Sequence, residues 1–313
     1  MGLEDLPIRI QNAILGIDEN GKKTKDKDSY YDRTPNQLHI TELLYCLTKS
    51  HHSRITPVEL NLKQTYPLYR GNVWDELLTS LYRQNQIRCT HRVSDIPATI
   101  IGKLDFIDDD GTLCDLKTAS SLFYTKKDGG AKEEHKKQVQ FYCYCNAIES
   151  AKVIYFDFGD SVTYHVEVPS AEYMKKTLIV ELEEKARRLW YSLNFFCNFC
   201  DQPIGTSFKE GMECPHCKHP LSKDNVRMIP PVVDVKGKEW MCASTDWRTG
   251  KIKEREDGSL AINCPYFDKC YKSKEEFEST LNVKASVEPK TVKFSPEKDA
   301  PVITVGKKKK VKQ

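Results

Sequence analysis

The chain has 313 residues, 39% of them hydrophobic, which is enough for one large domain or two smaller ones with a sizeable core. A formal net charge of +3 is too small to imply nucleic-acid binding by itself, although lysines cluster near both ends in "GKKTKDK" and "GKKKKVKQ". No apolar run follows a basic start and nothing approaches a membrane span, so a soluble, intracellular, cytoplasmic protein is expected. Twelve cysteines without an export signal argue for metal binding rather than a disulfide framework.

Residues 1–35 form a polar, Lys-rich extension with a short helix at its start. "HITELLYCLTKS" has helical spacing through Ile40, Leu43, Leu44 and Leu47. "GNVWDELLTSLYRQNQ" is a second helix with Val73, Trp74, Leu77, Leu78 and Leu81 on its apolar face. Strands follow at roughly 86–94, 98–108 and 112–118. Then come a helix in "KEEHKKQVQFYCYCNAI", two alternating strands in "KVIYFDFG" and "TYHVEV", and a long helix from about 170 to 195. The composition then shifts to Cys, Pro and Gly until about Tyr271. From about residue 275 it shifts again to Lys, Glu, Pro, Ser and Thr, a disordered basic tail. This order of elements predicts an α/β fold with a mixed sheet.

"GKLDFIDDDGTLCDLKT" (Gly102–Thr118) places charge where a core hairpin is expected. A three-residue loop, Asp109-Asp110-Gly111, lets Gly111 take the left-handed position such loops need. Asp108 then faces Thr112 and Asp105 faces Asp115, with β-carbons about 4.5–5.5 Å apart on one face. Lys117 shares that face, while Gly102, Leu104, Phe106, Cys114 and Leu116 take the other. Two carboxylates so close repel unless a cation lies between them, and oxygen ligands suit Mg²⁺ or Mn²⁺. The bland alternative is a solvent-facing hairpin whose charges are merely hydrated; another loop length would separate the two aspartates.

The pattern Gly-x-x-Asp, a turn, then Asp-x-Lys-Thr resembles the PD-(D/E)XK nuclease core. More closely, it is similar to the RecB-like branch that includes the CRISPR-associated iron–sulfur exonucleases. "QVQFY" adds Gln138 and Tyr142 at i and i+4, as in the Gln-x-x-x-Tyr motif of that branch. The resemblance implies a restriction-endonuclease-like mixed sheet flanked by helices, with a metal site made by Asp105, Asp115 and the carbonyl of Leu116. Lys117 would assist the attacking water, and Gln138 and Tyr142 would support the site and contact the DNA backbone. One departure stands out. The family has a metal-binding His four residues after a Gly on an upstream helix, and here Gly71 is followed by Asp75. Asp75 is either a metal ligand or an ordinary first-turn carboxylate favoured by the helix dipole. His91 and His135 are candidate substitutes.

The cysteines sort by spacing. "CNFC" and "CPHC" give Cys197-x2-Cys200 and, after thirteen residues, Cys214-x2-Cys217. Two such knuckles close one tetrahedral Zn²⁺ site, as in a zinc ribbon. Cys46, Cys242, Cys264 and Cys270 remain. The nuclease resemblance implies a [4Fe–4S] cluster on one Cys before the core and three after it. Here a 21-residue insertion separates Cys242 from Cys264, and its "EDGS" turn reads as a hairpin that could return Cys242 beside Cys264. A second zinc or unligated thiols are the other readings of these four. Cys89, Cys114, Cys143 and Cys145 read as small buried apolar residues.

The expected organisation is an N-terminal extension (1–35), a nuclease core (36–195), a zinc ribbon (196–225), an iron–sulfur module (226–274) and a basic tail (275–313). The tail also resembles a nuclear-import signal. The expected function is a metal-dependent DNA nuclease, an exonuclease on single-stranded or frayed ends, serving replication, repair or CRISPR adaptation. The alternative is a catalytically silent nucleic-acid-binding or assembly protein on the same fold.

Overall fold

A computed structural model describes residues 34–58, 71, 77, 81–119, 121–157, 159–231, 241–246, 251–255 and 258–281. The expectations for nearly all of the N-terminal extension, for Asp75 and most of its helix, and for the basic tail beyond residue 281 fall outside these residues; where disorder is expected from about residue 275, Lys274–Thr280 is instead a helix that buries Phe277.

A mixed six-stranded sheet flanked by helices forms the main body. The described chain starts with β1 (Gln37–His39) and two helices, α1 (Ile40–Leu44) and α2 (Leu47–Ile55). Apolar spacing alone predicts one continuous helix here. It breaks at Tyr45 and Cys46, whose backbones leave helical geometry, and the Cys46 sulfur accepts the Lys49 amide as the cap of α2. Three strands follow: β2 (Gln84–Arg92), β3 (Thr99–Ile107) and β4 (Leu113–Thr118). A short α3 (Phe123–Asp128) and then α4 (Glu133–Asn146) lead into the hairpin of β5 (Ala151–Phe156) and β6 (Ser161–Val166). Glu133 and Glu134 suit the positive N-terminal end of α4. Helix α5 (Ala171–Met174) runs through a π-helical stretch, Lys175–Ile179, into α6 (Val180–Ser192).

The sheet is forked. β2 pairs antiparallel with β3 over Thr99–Ile107 and so occupies one edge of it. The other edge is shared: β1 pairs parallel with Thr99–Ile101, and β4 pairs antiparallel with Phe106 and Ile107. Residues 102–105 lie in the gap where β1 and β4 diverge. The β2–β3 ladder also skips Gln86 and Asp105, and Gln86 has a φ of 52°. Beyond β4 the order is regular, with β5 parallel to β4 and β6 antiparallel to β5.

The core lies between the sheet and α1, α4 and α6. It includes Leu43, Leu104, Val139, Phe141, Val153 and Leu189. On α6, Leu182, Ala186, Leu189 and Trp190 are buried at helical spacing. Among the described residues no helix is long and apolar enough to cross a membrane.

Two Cys-rich units follow. A three-stranded sheet of β7 (Phe195–Cys197), β8 (Pro203–Gly205) and β9 (Val226–Met228) carries two matching knuckles. After it, isolated bridges Ala243↔Ile262, Thr245↔Ile252 and Glu254↔Leu260 fold the insertion back on itself. Its turn closes through Gly258 N–H to Arg255 O, with Gly258 at φ 77°. The insertion thus returns Cys242 to Cys264, whose amide donates to Cys242 O at 3.1 Å. Helices α7 (Phe267–Cys270) and α8 (Lys274–Thr280) finish the described chain.

Candidate active site

The β3–β4 turn sets the geometry. Gly111 takes φ 81°, and Asp108 and Thr112 close the loop with a 2.9 Å bond from the Asp108 amide to the Thr112 carbonyl. Continuing the Phe106↔Cys114 register by one residue puts Asp105 opposite Asp115. There the ladder stops, and the Asp105 carboxylate takes over as acceptor: its Oδ2 receives the Leu116 amide at 2.6 Å.

Asp115 and Lys117 pair with Val153 and Tyr155 of β5, so they share the core-facing side of the sheet. Asp115 is 1% exposed and its Oδ2 lies 2.6 Å from Lys117 Nζ, whose side chain is 22% exposed. Burial alone would push the Lys117 ammonium down, but the carboxylates of Asp115 and Asp105 outweigh it and hold the group up. Lys117 is therefore favoured as a charged hydrogen-bond donor beside the two carboxylates. Leu116 points the other way and lines a groove with Phe106, Ile154 and Phe156.

Gln138 and Tyr142 lie on one face of α4, and Gln138 Nε2 donates to the Tyr142 hydroxyl at 2.8 Å. Both are buried, at 6% and 1% exposure. The Tyr142 ring covers Gly102 so closely that a β-carbon there would stand 2.5 Å from Cε1. Alternation along β3 groups Gly102 with Phe106; in the structure Gly102 faces Tyr142 and Ile40 while Phe106 lines the opposite groove. Gly71 reaches the end of β4, where its β-carbon would lie 3.5 Å from Thr118 Oγ1.

The two histidines offered as substitutes for the family's metal-binding His both have side-chain partners. His91 Nε2 lies 2.8 Å from Glu183 Oε1 on α6. His135 sits between two tyrosines, with Nε2 3.1 Å from the Tyr45 hydroxyl and Nδ1 2.7 Å from the Tyr155 hydroxyl. Burial, then Lys117 and Lys132, pushes the His135 imidazolium down to about 3, so the ring is neutral at ordinary pH. Burial pushes the Tyr155 phenol up to about 12. Sequence reasoning passed over Tyr45 and Tyr155. Tyr155 could have been found, since it stands beside Lys117 once β4 and β5 are paired in parallel; Tyr45 carries no local signal.

The sulfur atoms of Cys197, Cys200, Cys214 and Cys217 all lie within 4.8 Å of one another, a group that could hold a metal ion. Cys197 Sγ is 3.7 Å from Cys217 Sγ, and Cys200 Sγ is 3.7 Å from Cys214 Sγ. The knuckles are built alike. Asp201 and Lys218, each just after the second cysteine, have φ 57° and 64° and donate to Cys197 O and Cys214 O. In turn the Cys197 and Cys214 amides donate to Gln202 O and His219 O.

Cys46, Cys242 and Cys264 are 5–7% exposed, and Cys46 and Cys242 join Ala243, Ile252, Phe267 and Phe277 in one apolar cluster with Cys270 packed against it. Burial pushes the Cys270 thiol up to about 12, and the nearby thiols of Cys46, Cys264 and Cys242 add to that. Among the described residues these sulfurs are not gathered as tightly as the first four. Cys89, Cys114 and Cys143 are buried in the main core or beneath it, as small apolar residues are expected to be. Burial raises the thiols of Cys114, Cys143 and Cys145 to about 12.

No protein-family model and no curated protein sequence matches the chain. Among solved structures, the chain is similar to the crystal structure of SSO0001, with 21% identity and a TM-score of 0.39 over 49% of this chain and 76% of that one. It is also similar to an alkaline exonuclease, LHK-Exo, from Laribacter hongkongensis, with 14% identity and a TM-score of 0.34 over 49% and 88%. The same exonuclease in complex with dAMP matches with 12% identity and a TM-score of 0.35 over 49% and 88%.

Proposed function

We propose that the protein is a metal-dependent deoxyribonuclease, an exonuclease acting on single-stranded or frayed DNA ends. The observation that carries this reading is the buried Asp115 paired with Lys117, with Asp105 brought opposite at the mouth of a forked sheet. A buried carboxylate and a second one across the hairpin form a hard-oxygen donor set, which fits Mg²⁺ or Mn²⁺. Asp105, Asp115 and the Leu116 carbonyl would hold the ion, with Asp75 as a further ligand. When bound, the metal would lower the pKa of a water and stabilise charge on the phosphate.

The chain's own residues supply the rest. Lys117, fixed by Asp115 and kept cationic, donates to the attacking water or to a phosphate oxygen and stabilises negative charge as it develops. The Leu116 amide locks the Asp105 carboxylate, so its orientation is set before substrate arrives. Tyr142, wedged on Gly102, fixes α4 against the sheet, and its bond from Gln138 holds that side chain beneath the site.

The four ribbon cysteines would hold Zn²⁺ as a structural ion. A tetrahedron with Zn–S bonds of about 2.3 Å has edges of roughly 3.8 Å, close to the two sulfur separations of 3.7 Å. Cys46, Cys242, Cys264 and Cys270 would hold a [4Fe–4S] cluster. Each thiolate then binds a different iron, which calls for a looser set of sulfurs than a single ion does. Such a clamp ties Cys46 to Cys270 across the main body and closes a very long loop.

Incubating the full chain with Mn²⁺ and end-labelled single-stranded DNA tests the reading. Progressive shortening that stops on chelation is expected. Binding without shortening would favour the catalytically silent alternative.

A further inference from the structure

Three side chains beside the proposed metal site form a hydrogen-bond chain whose polarity can be worked out by counting donors and acceptors. The Lys132 amide donates to the Tyr155 hydroxyl oxygen at 3.0 Å, and that hydroxyl also lies 2.7 Å from His135 Nδ1. Tyr155 is 3% exposed, so its own O–H needs a buried acceptor. His135 Nδ1 is the acceptor at hand. The neutral imidazole then carries its proton on Nε2, which donates to the Tyr45 oxygen at 3.1 Å. Reversing the chain would leave the Tyr155 proton buried with two donors crowding its oxygen. In the favoured direction the surplus donor falls on the hydroxyl of Tyr45, a residue that is only half-buried. Tyr45 lies within electrostatic reach of Lys117, Glu134 and Asp115. It is also the residue at which the helix breaks, while the next residue, Cys46, goes to the thiol cluster.

We propose that Tyr45 contacts substrate directly, its hydroxyl donating to a non-bridging phosphate oxygen of the strand in the site. Tyr155 and His135 are positioning residues that keep the Tyr45 lone pair occupied and its proton facing outward. The proposal rests on the reading of the site as one that binds a nucleic-acid strand, and it adds a contact outside the acidic hairpin and the Gln138–Tyr142 pair.

The test is binding of a fluorescent single-stranded oligonucleotide by the full chain, followed by anisotropy without added Mg²⁺ or Mn²⁺. Tyr45→Phe keeps the ring and removes only the donor. It should weaken binding about tenfold, the scale of a lost hydrogen bond to a charged acceptor. Scanning a single methylphosphonate along the oligonucleotide should find one position where Tyr45→Phe and the unaltered protein bind alike. Tyr155→Phe should lose less and at the same position. A merely structural role would penalise every oligonucleotide equally, and that result would overturn the proposal, as would wild-type binding by Tyr45→Phe. If the unaltered protein binds and cuts DNA while Tyr45→Phe is unchanged, this proposal alone fails. If the unaltered protein neither binds nor cuts, the nuclease reading fails and takes the proposal with it.

Discussion

Lys117 Nζ stands 2.6 Å from Asp115 Oδ2, two residues back on the same strand, and the carboxylate of that pair is almost wholly buried. Removing the lysine takes a cation away from a buried carboxylate. Lys117→Ala should therefore do more than stop cleavage. In metal-free buffer it should destabilise the fold by about 2 kcal/mol, less than a fully buried pair would lose because the lysine is partly solvated. Added Mn²⁺ should restore much of the loss, since a cation bound at Asp105 and Asp115 stabilises the folded state. Thermal melts with and without Mn²⁺ check this; a variant as stable as the unaltered protein in metal-free buffer would count against the pair.

Gly102 is required for a packing reason. An alanine there would put its β-carbon 2.5 Å from the Tyr142 ring and 3.0 Å from Ile40 Cγ2. Gly102→Ala should cost roughly 1–3 kcal/mol, the usual penalty of overpacking. In a Tyr142→Leu background the added penalty should shrink, because the two sites share one contact. Denaturant unfolding of the unaltered protein, the two single variants and the double variant measures the coupling, and additive effects would contradict it.

Much of this region was legible in the sequence because its signals are local. The Asp-Asp-Gly turn fixes the hairpin register within a few residues, and the Cys-x2-Cys spacings and the Gly258 turn are equally short-range. Other features depend on distant partners. The apolar spacing of "HITELLYCLTKS" runs straight through Tyr45 and Cys46, so nothing local marks the break that sends one residue to His135 and the next to the thiol cluster. β1 is three residues long and is defined only by its pairing with β3. His135 meets Tyr45 across ninety positions of sequence, a contact no periodicity reveals. The alternation rule failed at Gly102, on a strand whose ladder to β2 is interrupted at Asp105.

Cys214→Ser should release zinc from the purified protein. A bound ion would supply much of the folding energy of so small a unit, so the segment around β7–β9 should become protease-sensitive while the main body stays folded. Metal analysis and limited proteolysis check this; unchanged zinc content would contradict the assignment of these four ligands.

Protein purified without oxygen should be brown, with the broad visible absorption of thiolate-bound iron–sulfur clusters. Cys46→Ser and Cys270→Ser should each bleach it and ease proteolysis of both ends of the described chain, because the clamp joins them. Cys89→Ser should keep the colour, since Cys89 lies in the main core and not in the Cys46 cluster. A colourless preparation with two zinc ions per chain would assign the second site to zinc and leave the acidic hairpin unaffected.

The most direct test of the central claim is a side-by-side cleavage assay of the unaltered protein and Asp115→Ala on end-labelled single-stranded DNA with Mn²⁺. Asp115 is the buried carboxylate that both orients Lys117 and would face the metal. The unaltered protein should shorten the strand, lose that activity on chelation and regain it with fresh Mn²⁺, whereas Asp115→Ala, confirmed folded by circular dichroism, should leave the strand intact. Equal cleavage by the two proteins, or intact DNA with a metal-replete unaltered protein, would contradict the account.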